Sequence, residues 1–214
     1  SKKANGSFDF LDAMGIPYNL TPAEHQAQMD QYDCTFLFAR NYHAAVRHVG
    51  PARQQLAGRS IFNLIGPFCN PASPNIQIIG APSKALAKRL MDVGSQLNYD
   101  TFAVITSDIG LDECSTVGDS TVFIRRGNDH SELVIHPEDY GFHHKLVDIS
   151  VSADALAVDN AAIFKEILST KNTKHPIAQL IALNAAVMMH VVDGQTPIKN
   201  GLQKTLNAIE LIQY

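Results

Sequence analysis

The chain has 214 residues, a net charge of −4 and 45% hydrophobic residues, enough for a sizeable core and too apolar for intrinsic disorder. Its 17 lysines and arginines are scattered, so no basic stripe points to nucleic acid and no basic patch to a membrane surface. No uninterrupted apolar run approaches 18 residues and the opening residues carry no signal peptide, which predicts neither a membrane span nor export. Cys34, Cys69 and Cys114 are odd in number and lack CxxC spacing, which predicts reduced thiols in a cytoplasmic protein.

The polar start, residues 1–9, has no initiator Met, and the chain is expected to be a fragment or a processed protein. Phe10-Leu11-Asp12-Ala13-Met14 reads as a short helix closed by Gly15. Thr21-Pro22-Ala23-Glu24 opens a second helix with Thr as N-cap, Pro at the first position and Glu three residues on. Cys34 to Ala39 is β-prone, Asn41-Tyr42-His43 reads as a connection, and 43–56 reads as helical with a forced break at Gly50-Pro51.

The clearest unit is 76–106. Ile76 to Gly80 reads as a strand, and Leu86, Leu90, Val93 and Leu97 repeat at helical spacing through a helix ending near Asn98. Phe102 to Thr106 is a second apolar strand. Strand, helix and strand in that order predict a right-handed crossover between parallel strands. Thr121 to Arg125 and Leu133 to Ile135 flank the turn Gly127-Asn128-Asp129 and predict an antiparallel hairpin. The last third is helical: Ala161–Leu168, then Ile177–Val191 with an apolar stripe at 177, 180, 181, 188 and 191, then a helix capped by Thr196-Pro197. No repeat or linker interrupts the pattern, so one α/β unit is expected.

Two stretches could carry chemistry. From Arg53 to Pro71, Arg53 and Arg59 precede a short apolar run broken by Gly66-Pro67 and Asn70-Pro71. Such a bare, stiff backbone edge beside arginines suits a small flat anion, and an ordinary buried segment with a tight turn has the same spacing. After the strand 102–106, Asp108, Asp112 and Glu113 place three carboxylates within six residues. In parallel sheets ligands gather beyond the carboxyl ends of strands, so this loop is a candidate Mg²⁺ site or, failing that, a solvated acidic loop. His43, His48, His143 and His144 lack zinc-ligand spacing. Asn184 lies in an apolar helical stripe, which predicts packing or capping rather than catalysis. No GxGxxG, GxxxxGK[ST], HExxH or GxSxG occurs.

Taken together, Phe36-Leu37-Phe38-Ala39 with Asn41-Tyr42-His43, Arg53, the run Arg59 to Pro67 with Asn70-Pro71, and Gly110-Leu111-Asp112-Glu113 resemble the anthranilate phosphoribosyltransferase family. Gly6-Ser7 with Asp9, Glu138-Asp139-Tyr140-Gly141, Asp159-Asn160-Ala161 and Leu183-Asn184-Ala185-Ala186 extend the resemblance over nearly the whole chain. It implies an α/β fold with a mixed, mostly parallel central sheet flanked by helices, of the nucleoside phosphorylase/phosphoribosyltransferase catalytic-domain type. Residues 1–214 would form a single α/β domain lacking most of the family's N-terminal helical domain.

The resemblance further implies a transferase of tryptophan biosynthesis, in which the anthranilate amine attacks C1 of phosphoribosyl diphosphate and diphosphate leaves with Mg²⁺ assistance. Asp112 and Glu113 would hold the metal, Arg53 would grip the anthranilate carboxylate, His43 would line the aromatic pocket, and Gly66 with Pro67 would form its wall. Anthranilate and phosphoribosyl diphosphate are the implied partners, with no nucleic acid and no membrane. A homodimer of this chain would need a surface other than the N-terminal helices through which the family pairs.

Departures from the pattern qualify this. The family's Gly-Thr-Gly-Gly-Asp diphosphate loop and Lys-His-Gly-Asn segment have no counterpart, Lys2-Lys3-Ala4-Asn5 replaces a Ser-Ser-Lys-Ser run, and Arg40 and Ala44 stand where the family has prolines. One charge-assisted bond at Arg53 supplies about 1.5–3 kcal/mol, whereas even a millimolar complex needs about 4 kcal/mol. The isolated chain is therefore expected to be inactive. A pyrimidine nucleoside phosphorylase-like enzyme and a non-catalytic truncated paralogue acting as a binding module are the alternatives.

Overall fold

A computed structural model describes residues 6–42, 64–150 and 156–212. The chain divides into two compact units, Ser1–Ser73 with Ser152–Ile163 and Pro74–Val151 with Phe164–Tyr214.

In the first unit, helix α1 (Ser7–Met14) stops at Gly15, whose φ of 72° is the left-handed C-cap expected there. Helix α2 (Pro22–Tyr32) starts on the anticipated capping box, with the Glu24 N–H donating to Thr21 Oγ1 and the Thr21 N–H to Glu24 Oε2 at 2.7 Å. Residues 34–38, read as β-prone, form no strand. Side chains fix them instead: Phe38 packs tilted against Phe8 and edge-on against Tyr18, at ring separations of 4.6 and 5.3 Å. Thr35 donates its only hydroxyl proton to Gln28 Oε1 at 2.6 Å, so at 2.6 Å it must accept from Nδ1 of the buried His25. Asn41 and Tyr42, read as part of a connection, belong to the one-turn helix α3 (Ala39–Tyr42), as does Ala39, read as the end of the β-prone stretch.

The second unit is built on a four-stranded sheet of order β1-β2-β3-β4, comprising β1 (Ile76–Gly80), β2 (Thr101–Ser107), β3 (Ser120–Arg126) and β4 (Asp129–Ile135). β1 and β2 pair in parallel across helix α4 (Lys84–Gly94), as the strand-helix-strand pattern requires. β3 and β4 form the expected hairpin, with Gly127 at φ 53° opening its two-residue turn. The sheet is thus mixed and flanked by helices, but the expectation of mostly parallel pairing fails among the described strands. Two of the three pairings, β2–β3 and β3–β4, are antiparallel: the two-residue turn after β3 can only return the chain antiparallel, and the loop 108–119 returns β3 antiparallel to β2 as well.

Beyond β4 come the short helix α5 (Leu146–Ile149), then α6 (Ala157–Thr170), α7 (Pro176–Asp193) and α8 (Ile198–Leu211). Ala103, Ile105, Val122 and Ile124 of the sheet pack with Leu183, Ala186, Val187 and Val191 of α7 and Ile198 and Leu202 of α8 in one core. Full burial of an aliphatic side chain such as Leu183 stabilises the fold by roughly 1.5–3 kcal/mol.

Both apolar stripes read from the sequence need correction. On α4 the buried positions are Ala87, Leu90, Met91 and Gly94, while Val93 and Leu97 are exposed and the helix ends at Gly94 rather than near Asn98. On α7 Ala178, Ala182, Leu183, Ala186 and Val187 are buried, while Ile181 and Met188 are exposed. The cause is close approach. A Cβ on Gly94 would fall 2.1 Å from the Phe102 ring, and one on Gly201 of α8 would fall 3.0 Å from Ala186 Cα. The inward faces are marked by small residues, which a count of large apolar ones misses. With 18 residues and a mean hydropathy of 1.4, α7 has the length and composition to cross a membrane, although polar residues interrupt its apolar run. Its small inward residues pack in the core.

Candidate functional site

The loop after β2 leaves from the carboxyl end of the parallel pair, and each of its first residues is tied down. Ser107 accepts the Leu111 N–H on its hydroxyl at 2.9 Å and donates its own N–H to the Leu111 carbonyl at 3.1 Å. Gly110, at φ 84°, makes the turn between them. Asp108 leans out to Lys84 at 3.4 Å, both half-exposed, a pair worth about 0–1 kcal/mol. The three acids read together from the sequence are therefore not a cluster. Asp108 faces a lysine, and among the described residues no three His, Cys, Asp or Glu side chains are grouped to hold a metal.

Asp112 and Glu113 remain as an adjacent, exposed pair. Gly80, the last residue of β1, lets the loop pass directly over the sheet: a Cβ there would sit 1.8 Å from the Asp112 carbonyl oxygen. On the other side of the pair, Asn184 from α7 clamps Cys114. Its Oδ1 accepts the Cys114 N–H at 2.8 Å and its Nδ2 donates to the Cys114 carbonyl at 2.9 Å. The Ser115 N–H donates to Ser120 Oγ at 2.8 Å, and Ser115 Oγ accepts from Val117 at 2.9 Å.

Electrostatics follow from that packing. Glu113 is solvent-accessible, yet surrounding protein strips enough hydration to hold its carboxyl above the usual range, and the Asp112 charge adds to the shift. The Cys114 thiol is fully buried and pushed up to about 12, first by burial and then by Glu113, against a hydrogen bond to Ser120. It is no nucleophile at neutral pH. Two carboxylates of this kind, accessible and with no third protein ligand among the described residues, suit Mg²⁺, which keeps most of its coordination for water and phosphate oxygens.

The other expected site residues are distributed differently. Gly66 and Pro67 lie in a one-turn 3₁₀ helix, Gly66–Cys69, that buries none of its residues. Gly66 has neither a positive φ nor, among the described residues, any neighbour within 4 Å of an added Cβ. Its glycine is thus not demanded by the local backbone, contrary to the reading of a tight buried turn. Leu64 and Ile65 are half-buried, and Asn70 Oδ1 accepts the Ala72 N–H at 3.0 Å. His43, Arg53, Arg59 and Ala44, like the Arg40 side chain, fall outside the described residues.

A feature the sequence reading did not foresee is a polar cavity of about 600 Å³ near the carboxyl end of β4. Thr116, Asp119, His136, Glu138 and His144 line it. His136 and Asp119 pair at 2.9 Å, and His144 Nδ1 meets Thr116 Oγ1 at 3.0 Å. His144 is thus anchored to the far end of the acidic loop. Only the fold could bring these residues together, since 17 positions separate Asp119 from His136 and 28 separate Thr116 from His144.

The family model for the a/b domain of the glycosyl transferase family matches residues 1–211. The chain belongs to this family. Within it, the chain is 32% identical over 205 residues to the anthranilate phosphoribosyltransferase of Vibrio parahaemolyticus, covering 96% of the chain and 60% of that protein. It is 34% identical over 206 residues to the enzyme of that name from Aeropyrum pernix, covering 96% and 59%. Among solved structures, anthranilate phosphoribosyltransferase from Saccharomyces cerevisiae in complex with 4-fluoroanthranilate superposes with a TM-score of 0.84 at 26% identity, covering 96% of the chain and 59% of its own. The same yeast enzyme in complex with PRPP and Mg gives a TM-score of 0.83 at 26% identity, covering 96% and 58%. The α/β fold of this family member is therefore the one the motifs implied. The chain spans about 60% of the length of the curated relatives it matches.

Proposed function

We propose that the protein carrying this chain transfers the phosphoribosyl group of phosphoribosyl diphosphate to the amine of anthranilate, releasing diphosphate, as a step of tryptophan biosynthesis. The observation that carries the reading is the Asp112-Glu113 pair, accessible at the carboxyl end of the parallel strands and fixed by Gly80 and Asn184. Relatives of this name, and a neighbour solved with PRPP and Mg, support it.

Asp112 and Glu113 would hold Mg²⁺, which when bound offsets the charge that builds on the departing diphosphate. Arg53 would bind the substrate carboxylate through a two-pronged ion pair, orienting the ring so that the amine faces the ribosyl carbon. His43 and the exposed Gly66-Pro67 turn would line the ring. Positioning of this kind can supply roughly 7–11 kcal/mol of a barrier between two bound reactants. No side-chain nucleophile is required, in keeping with the inert Cys114 thiol. The three free cysteines support a reducing, cytoplasmic setting. Alone, the 214 residues contain no Gly-Thr-Gly-Gly-Asp segment, and we expect them to turn over nothing.

The test is a steady-state assay of the complete protein with anthranilate, phosphoribosyl diphosphate and Mg²⁺, run beside thymidine plus phosphate. Product from anthranilate is expected, and Arg53→Ala should raise KM for anthranilate at least tenfold, about 1.4 kcal/mol of lost binding. Phosphorolysis of thymidine in place of the transfer would overturn the reading, and unchanged kinetics in the variant would remove Arg53 from the carboxylate site.

A further inference from the structure

Asn184 is out of place by composition. It lies in the middle of an 18-residue helix, next to Leu183 at 0% exposure and one turn from Leu180 and Val187, at 9% and 0%. An amide in such surroundings is tolerated only when its donors and acceptors are matched. Here they are matched almost fully: beyond the two bonds to Cys114, Nδ2 also donates to the Leu180 carbonyl at 3.0 Å. The orientation is forced, because the Cys114 N–H needs an acceptor and the two carbonyls need donors.

The partner of this amide is a backbone, 70 positions away in sequence, and not a side chain. The bonds to the N–H and C=O of Cys114 fix the peptide on each side of it, and the first of those peptides is the one attached to Glu113. At the other end of the pair, Ser107 holds both backbone groups of Leu111. Asp112 and Glu113 thus lie between two immobilised residues, with Gly80 admitting the Asp112 carbonyl below them. The Cys114 side chain, buried and protonated, interacts with Ser120 and takes no part in the bonds to Asn184, which use the Cys114 backbone alone.

We propose that Asn184 is a positioning residue for divalent-cation binding, setting the orientation of Asp112 and Glu113 by clamping the Cys114 backbone from helix α7. This rests on the reading of Asp112 and Glu113 as the cation ligands. Removing groups that orient ligands in this indirect way lowers metal affinity by about 10–100-fold. The bonds described for Asn184 go to Cys114 and Leu180, so the defect should be one of cation affinity that excess cation repairs.

The experiment measures Mn²⁺ binding to the complete protein by calorimetry and by paramagnetic resonance, without substrate. Wild type is compared with Asn184→Leu, Asn184→Asp, Cys114→Ala and Asp112→Ala. Asn184→Leu deletes every bond of the clamp, while Asn184→Asp keeps the Cys114 N–H contact and loses both donations, so it serves if the leucine variant does not fold. Expected are a tenfold or greater weakening in the Asn184 variants, a matching rise in the Mg²⁺ concentration for half-maximal activity, and near-normal turnover at saturating Mg²⁺. Cys114→Ala, which leaves the backbone clamp in place, should bind Mn²⁺ as wild type does. A folded Asn184 variant with unchanged Mn²⁺ affinity overturns the positioning role alone. Wild-type affinity in Asp112→Ala overturns the cation site itself, and the positioning role with it.

Discussion

The Gly66–Cys69 turn and the loop after β2 are both short irregular segments carrying proposed site residues, and they are built in opposite ways. The turn buries none of its residues. It owes its shape to Pro67 and to backbone bonds between near neighbours, such as Phe68 N–H to the Ile65 carbonyl at 3.0 Å. The loop is held by residues far from it in sequence, Gly80 on β1 and Asn184 on α7. A bend can be written locally. Holding two like-charged carboxylates side by side takes contacts from elsewhere in the fold, because their repulsion favours moving apart.

The sharpest way to break this contrast is to add one methyl group beneath the loop. Gly80→Ala should lower stability by about 1–3 kcal/mol, the usual cost of overpacking, since the new Cβ would meet backbone and not a yielding side chain. Denaturant unfolding of the complete protein measures it, and a loss under about 0.5 kcal/mol, the range of ordinary surface changes, would show that the loop is not tightly seated. A smaller effect is expected at the turn. Pro67→Ala touches an exposed residue and should cost only about 0.4–1 kcal/mol, through the added freedom of the unfolded chain. A larger loss in the same unfolding experiment would mean that Pro67 makes packing contacts the turn does not suggest. The least perturbing comparison uses the cysteines. At pH 8 Cys69, exposed in the turn, should alkylate readily, whereas Cys114, buried and with its thiol pushed up to about 12, should label only after denaturation. Mass mapping of the native and denatured protein reads both sites, and rapid native labelling of Cys114 would contradict a sealed loop.

Much of the architecture was legible where a residue type has one local meaning. Thr21-Pro22-Ala23-Glu24, Gly15 and the turn Gly127-Asn128 announced their caps and hairpin because each satisfies backbone geometry within a few positions. Strand β1 was read to the residue, and β2 within one residue at each end. Faces were less legible than elements. Gly94 is buried under the Phe102 ring and Ala186 against Gly201 of α8, and small residues carry no hydrophobic signal of their own. Cys34 to Phe38 looked like a strand by propensity, which is a weak guide without a pairing partner.

The site divided in the same manner. Asp112 and Glu113 could be nominated from their place after an apolar strand, and Asp108 was wrongly grouped with them because spacing along a loop does not say which way a side chain points. Asn184 was read as a packing or capping residue, and its bonds to a backbone 70 positions away could not have been found from sequence. The histidines and acids of the 600 Å³ cavity were equally hidden, since they come from three separate segments, the loop after β2, the turn after β4 and the stretch before α5.

The position of β1 carries one more consequence. Among the described strands it ends the sheet order and has a single hydrogen-bonded neighbour, β2. Its other flank therefore presents a ladder of amides and carbonyls to whatever lies alongside. A row of that kind is where a further extended segment, from the rest of the protein or from another copy, would lengthen the sheet.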